Sequence, residues 1–207
     1  MDLKIYNTGL LDVNTYLLTD TASKESVIID LGGDYTPILK DIELMGSKLK
    51  FILNTHGHFD HILGEGEFQK KYPDIPIYMH KKDLSHLDKM QEEVRMWGFG
   101  EKACNINMNY IDEDSELQIG MHKIKILYTP GHSAGSLCFC VDNMLFSGDA
   151  LFQRSIGRTD FYDGDFDTLI HSIKTKLLNL DDSTNVYPGH GPKTTVREEK
   201  KYNTYLQ

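Results

Sequence analysis

Cysteine is scarce in this chain: its 207 residues include three, too few and odd in number for a disulfide framework. Cys138 and Cys140 lie two apart in Leu137-Cys138-Phe139-Cys140-Val141. A strand would point both to one face, where free cysteine behaves as a small core residue. Long apolar runs are missing too. No stretch approaches the roughly 20 residues that cross a bilayer, and Met1-Asp2-Leu3-Lys4-Ile5-Tyr6 lacks the charged-then-apolar pattern of a secretion signal. Positive charge is short: 22 Lys and Arg against 31 Asp and Glu leave a formal charge of -9. That balance argues against a nucleic-acid or anionic-membrane partner. The expectation is a protein of the reducing cytoplasm, a monomer or weak homo-oligomer. With 40% hydrophobic and 26% charged residues and no linker, repeat or low-complexity segment, 1–207 reads as a single domain.

What the chain has is histidine in one place. Thr55-His56-Gly57-His58-Phe59-Asp60-His61 closely follows the apolar run Phe51-Ile52-Leu53. A strand ending in three imidazoles and a carboxylate is costly to hold together without a cation. Histidine nitrogen and carboxylate oxygen suit zinc, and also iron or manganese. In an extended backbone His56 and His58 lie on one side and can approach one ion. Asp60 and His61 fall where the chain turns into a helix and can face a second. Neither set is complete, because an ion here wants about four to six ligands.

The rest must come from far along the chain. The candidates are His132 in Thr129-Pro130-Gly131-His132, Asp149 in Ser147-Gly148-Asp149, and His190 in Pro188-Gly189-His190-Gly191. Each follows an apolar strand and a glycine, which lets the backbone turn sharply beside a site. Five histidines and two aspartates suffice for two ions, a shared carboxylate and an open position. Of the other histidines, His80 ends a strand and could stand behind a ligand. His86, His122 and His171 sit in polar patterns and read as surface residues.

Periodicity places short strands at 3–6, 15–19, 27–30, 49–53 and 75–79, with a helix from Pro37 to about Gly46 and helical spacing over 81–97. Residues 62–68 read as a helix start weakened by Gly64 and Gly66. Met108 to Asp114 reads as a crossing loop. Hairpins follow at 117–128 and at 137–146 through Asp142-Asn143. Phe166 to Leu178 suits a helix, Val186-Tyr187 a strand, and Val196 to Leu206 a last helix. Ligand candidates recur at the carboxyl ends of strands, which suggests two packed sheets, outer helices and one site along a shared edge.

The ordered set Thr-His-Gly-His-Phe-Asp-His at 55–61, Thr-Pro-Gly-His at 129–132, Ser-Gly-Asp at 147–149 and Pro-Gly-His-Gly at 188–191 resembles the metallo-beta-lactamase superfamily over nearly the whole chain. Asp149-Ala150-Leu151-Phe152, Ile156-Gly157-Arg158-Thr159-Asp160 and Gly189-His190-Gly191-Pro192 are similar to its short glyoxalase-II-like branch. The resemblance implies an α+β fold, a four-layer αββα sandwich of two mixed β-sheets with outer helices. It implies two divalent metal ions, zinc first, with iron or manganese as alternatives. His56, His58 and His132 would hold one ion, Asp60, His61 and His190 the other, and Asp149 would bridge them. Asp60 and Asp149 would serve catalysis in the hydrolysis of a small-molecule thioester such as S-lactoylglutathione.

Full-length glyoxalase II carries a C-terminal helical region whose basic residues hold the glutathione carboxylates, and here the sequence ends at Gln207. Arg158 and Lys193 remain as candidate substrate-binding cations, with a salt bridge to Asp160 or Asp163 as the competing role for Arg158. The same resemblance admits a persulfide dioxygenase with one iron and an acyl-homoserine lactonase. A non-catalytic binding protein that keeps the fold should have replaced ligands, and none of the seven is replaced.

Overall fold

The computed structural model describes residues 1–98 and 105–207. Its first sheet runs β1 (Asp2–Thr8), β2 (Val13–Asp20), β3 (Glu25–Ile29), β4 (Lys48–Leu53), β5 (Ile77–Met79) and β6 (Asn109–Tyr110) in spatial order. The β1-β2-β3 pairs are antiparallel and the pairs from β3 to β6 parallel. The second sheet holds β7 (Leu117–Ile119), β8 (His122–Tyr128), β9 (Leu137–Val141), β10 (Met144–Gly148), β13 (Asn185–Pro188) and β14 (Thr194–Thr195). A small ribbon of β11 (Leu151–Phe152) and β12 (Ser155–Ile156) sits apart. The helices are α1 (Thr36–Leu44), α2 (Phe59–Ile62), α3 (Glu65–Lys71), α4 (Leu84–Met96), α5 (Phe166–Ser172) and α6 (Val196–Tyr202).

Strand alternation sorts side chains into three cores. Tyr16, Leu18, Val27, Ile29, Phe139 and Phe146 meet between the sheets. Leu17, Ile28 and Ile52 face the other way, toward Ile38 of α1, Phe68 of α3 and Met90 of α4. Leu127, Cys138 and Leu145 face Leu169 of α5 and Val196 of α6. The result is the four-layer αββα sandwich. Where β3 pairs with β4 the register slips between Ser26 and Val27, leaving Lys50 unpaired. This bulge changes the phase of β4: Leu49 packs outward, yet Phe51 packs between the sheets. Both hairpins, α1 and its stop at Gly46 form as the sequence predicts.

Four expectations need correction. Met108 to Asp114 contains β6, because an exposed parallel edge on β5 accepts two more residues. Residues 62–68 break into α2 and α3 with Gly64 at the cap between them. The 166–178 helix changes at Ile173 into a π-type turn running to Leu177. The last helix stops at Tyr202, where the Asn203 side chain reaches the Ser155 carbonyl at 3.0 Å and starts a separate 3-10 turn. Cys138 and Cys140 pack in or against one core, as a strand demands. Burial pushes the Cys138 thiol up to about 12, which makes it inert at neutral pH.

Candidate metal centre

Sheet topology brings the distant ligands together. β8 and β10 both pair antiparallel with β9, so they run the same way, and β13 is parallel to β10. The carboxyl ends of all three therefore lie on one edge, and their next turns carry His132, Asp149 and His190. Across the inter-sheet core, β4 ends beside them with residues 56–61. Hydrogen bonds sew the two sheets at this edge. Leu137 donates its N–H to the Thr55 carbonyl at 2.7 Å, and Asn14 donates its own to the Gly189 carbonyl at 2.7 Å. The Tyr16 hydroxyl reaches the Pro188 carbonyl at 2.6 Å.

The seven side chains converge into two groups. His56, His58 and His132 bring ring nitrogens within 4.8 Å of one another, as do the ligand atoms of Asp60, His61 and His190. His132 Nε2 lies 2.9 Å from His58 Nδ1 and 3.2 Å from His56 Nε2. In the other group His190 Nε2 is 3.2 Å from Asp60 Oδ2. Asp149 stands between them: its Oδ2 is 3.7 Å from both His132 Nε2 and His190 Nε2, and its Oδ1 is 3.4 Å from His61 Nε2.

Cation binding explains this packing and a neutral core does not. His132 Nδ1 donates to the Arg158 carbonyl at 2.8 Å and His61 Nδ1 to Asp30 Oδ2 at 2.9 Å. In the neutral form of either ring Nε2 then presents a lone pair inward. His61 Nε2, Asp149 Oδ1 and His58 Nε2 are buried with no hydrogen-bond partner, a costly condition that metal ions relieve at the first two. The electrostatics agree. Burial, then the neighbouring imidazoles, holds His56 and His58 well below the usual histidine value. Burial would raise Asp149, but His61 and His132 outweigh it and keep the carboxylate ionised. Burial would likewise lower His61, yet Asp60, Asp149 and Asp30 raise it, so these carboxylates favour a cation at this ring, a proton or, in its place, a metal ion. The donor set of neutral imidazoles and two carboxylates fits a pair of divalent ions, a binuclear centre.

Behind the ligands stand two carboxylates whose roles the sequence did not announce. Asp30, at the end of β3 with φ of +57°, accepts Thr55 N–H and Thr55 Oγ1–H at 2.7 Å each besides His61. Asp83 accepts from Gly57 N–H and the Ser133 hydroxyl at 2.8 Å each, and from Gly135 N–H at 2.5 Å. It thereby clamps the first ligand turn to the turn after His132. A single acid closing an apolar strand, parallel to the ligand-bearing one, was the available signal for Asp30.

His86 also departs from expectation. It is 1% exposed, because it shares the inward stripe of α4 with Met90 and Val94 at four-residue spacing. Its Nε2 donates to Asp163 Oδ2 at 3.0 Å, and its ring stands edge-on to His58 with centroids 4.7 Å apart. Burial lowers it, but Asp163 and Glu93 more than compensate and push it up to about 9. Polar neighbours in sequence concealed this. His122 pairs with Asp142 and His171 is exposed, as expected. His80 stacks on Tyr128 and touches none of the seven.

A cavity of about 440 Å³ opens over the centre, with His58, Asp60, His132, Asp149 and His190 in its floor. Arg158 lines it, but its guanidinium holds Asp160 through two hydrogen bonds of 2.9 and 2.8 Å and lies over the Phe161 ring. Lys193 is exposed and does not line the cavity. Among the described residues no helix is long and apolar enough to cross a membrane.

The family model described as the metallo-beta-lactamase superfamily matches residues 8–190. The chain is 34% identical over 210 residues to the hydroxyacylglutathione hydrolase GloC of Haemophilus influenzae, covering 100% of this chain and 98% of that one. Among solved structures it is similar to the BLEG-1 B3 metallo-beta-lactamase, with a TM-score of 0.89 and 35% identity over 99% of both chains. It is also similar to TTHA1623 in a di-iron-bound form, with a TM-score of 0.86 and 33% identity over 98% of this chain and 100% of that one. Ligand order, sheet topology and these likenesses agree, and the chain belongs to the metallo-beta-lactamase superfamily.

Proposed function

We propose that this chain hydrolyses a small thioester, with S-lactoylglutathione as the first substrate to test. The observation that carries the reading is the pair of three-ligand groups sharing Asp149 in the floor of a cavity. His56, His58 and His132 would hold one ion, Asp60, His61 and His190 the other, zinc in preference to iron or manganese. Two divalent ions, when bound, supply a water of lowered pKa and an electrophile for a carbonyl oxygen. Asp60 faces the cavity and stays ionised, since His61 and His190 outweigh the effect of burial. It orients the attacking water by accepting its hydrogen. In the net reaction the water oxygen bonds to the acyl carbon, the carbon–sulfur bond breaks, and the products are a carboxylate, a thiol and a proton. The likeness to GloC, whose name specifies hydroxyacylglutathione, supports the acyl-thioester choice.

The test is thiol release from S-lactoylglutathione by protein as isolated, after chelation, and after reloading with zinc, iron or manganese. Release that disappears with chelation and returns with metal is expected. A two-metal protein that releases no thiol from any thioester, or that consumes oxygen with glutathione persulfide, would overturn the reading.

A further inference from the structure

The walls of the cavity differ from its floor. Phe59, Met96, Trp97, Phe152, Ile156 and Phe161 make up half of the residues that form them. Phe59 and Trp97 pack with ring centroids 6.1 Å apart, and Phe161 packs 4.6 Å from the His58 ring. Apart from the histidines of the floor, two described lining side chains can carry positive charge, and each is matched in the folded protein. Arg158 is doubly bonded to Asp160, and His86 is bonded to Asp163. Lys89 rests over the Tyr162 ring without lining the cavity. Glu93 does line it, and its Oε2 is buried with no hydrogen-bond partner among the described residues. Among the described residues the walls therefore offer apolar surface and the acidic side chain of Glu93, whose Oε1 lies 4.0 Å from His86 Nδ1, and no unmatched cation.

We infer that the cavity selects thioesters whose thiol arm is uncharged and largely apolar, and discriminates against arms bearing carboxylates. The inference rests on the thioester reading above and gives that site its substrate class. Two physical effects produce the selection. An apolar arm is desolvated against the aromatic walls at little cost, which is how small-molecule sites of a few hundred Å³ gain affinity. A carboxylate would have to displace Asp160 or Asp163 from its partner, or stay unpaired beside Glu93.

Trp97 is the chain's single tryptophan and lines this cavity, so its fluorescence reports occupancy independently of turnover. Metal-loaded protein would be titrated with two non-hydrolysable thioethers carrying the same S-hexyl group, one on glutathione and one on N-acetylcysteamine. The S-lactoyl thioesters of the same two thiols would be assayed in parallel for thiol release. The neutral thioether is expected to bind at least about tenfold more tightly, with kcat/KM shifted the same way mainly through KM. Glu93→Gln should narrow that preference, and Arg158→Ala should leave it in place. Equal or tighter binding of the glutathione thioether, or no binding of either, would overturn the inference. If neither thioester is cleaved while the neutral thioether still binds more tightly, the cavity's selectivity holds and the hydrolase reading falls.

Discussion

On the proposed ligand assignment, Asp149 is the residue on which the centre would depend most. It reaches toward side chains of both groups, so its carboxylate would offset the mutual repulsion of two nearby cations. Asp60 contacts one group, through His190 and His61. Asp149→Ala is therefore expected to lose metal from both positions, and Asp60→Ala chiefly from one, by elemental analysis of purified variants. An Asp149→Ala protein that retains both ions would remove the bridging role. His86 acts through a buried ion pair. Its folded value of about 9 lies above its ordinary 6.5, so its pairing with Asp163 stabilises the fold fully below about pH 6.5 and fades as pH rises through 9. Asp163, drawn down to about 2 from 3.8 by His86 and the Ala134 N–H against the effect of burial, adds stability above about pH 4 that is lost toward pH 2. In urea unfolding of metal-free protein, the cost of His86→Asn should be larger at pH 6 than at pH 10. An equal cost at both would mean that His86 is neutral in the folded state.

At the scale of elements, the turns after strands make the site. Gly131 has φ of +130°, and a β-carbon there would overlap the Leu169 backbone of α5. Gly131→Ala is expected to destabilise the whole fold by about 1–3 kcal/mol or more, visible as a lower Tm with or without metal. At Gly189 a β-carbon would instead strike Asp149 Oδ1 and approach His61 Cε1. Gly189→Ala should spare the apo Tm and weaken metal binding, which separates a structural glycine from one that makes room for the centre. The convergence of the strand-end histidines and aspartates was legible because each interrupts an apolar run with a glycine and a histidine or aspartate. β6 was not, since its two exposed residues carry no alternation and pair only because β5 leaves an edge. The Lys50 bulge was hidden for a similar reason, as register is a property of the pair of strands.

For the molecule as a whole, the four layers and the edge position of the site could be read from the chain because ligand order and strand order coincide. What escaped was support from the opposite side of the site. Asp30, Asp83 and His86 each look like ordinary polar residues of a strand end, a turn and a helix. Only packing shows that they hold His61, the Gly57 turn and the neighbourhood of His58. One folded chain is expected to hold a binuclear centre. Its most direct test is metal stoichiometry by elemental analysis against protein concentration from amino-acid analysis, on protein dialysed free of loose ions. About two transition-metal ions per chain are expected. A saturating value of one tightly held ion, unchanged after reloading with zinc, iron or manganese, would mean a mononuclear centre instead.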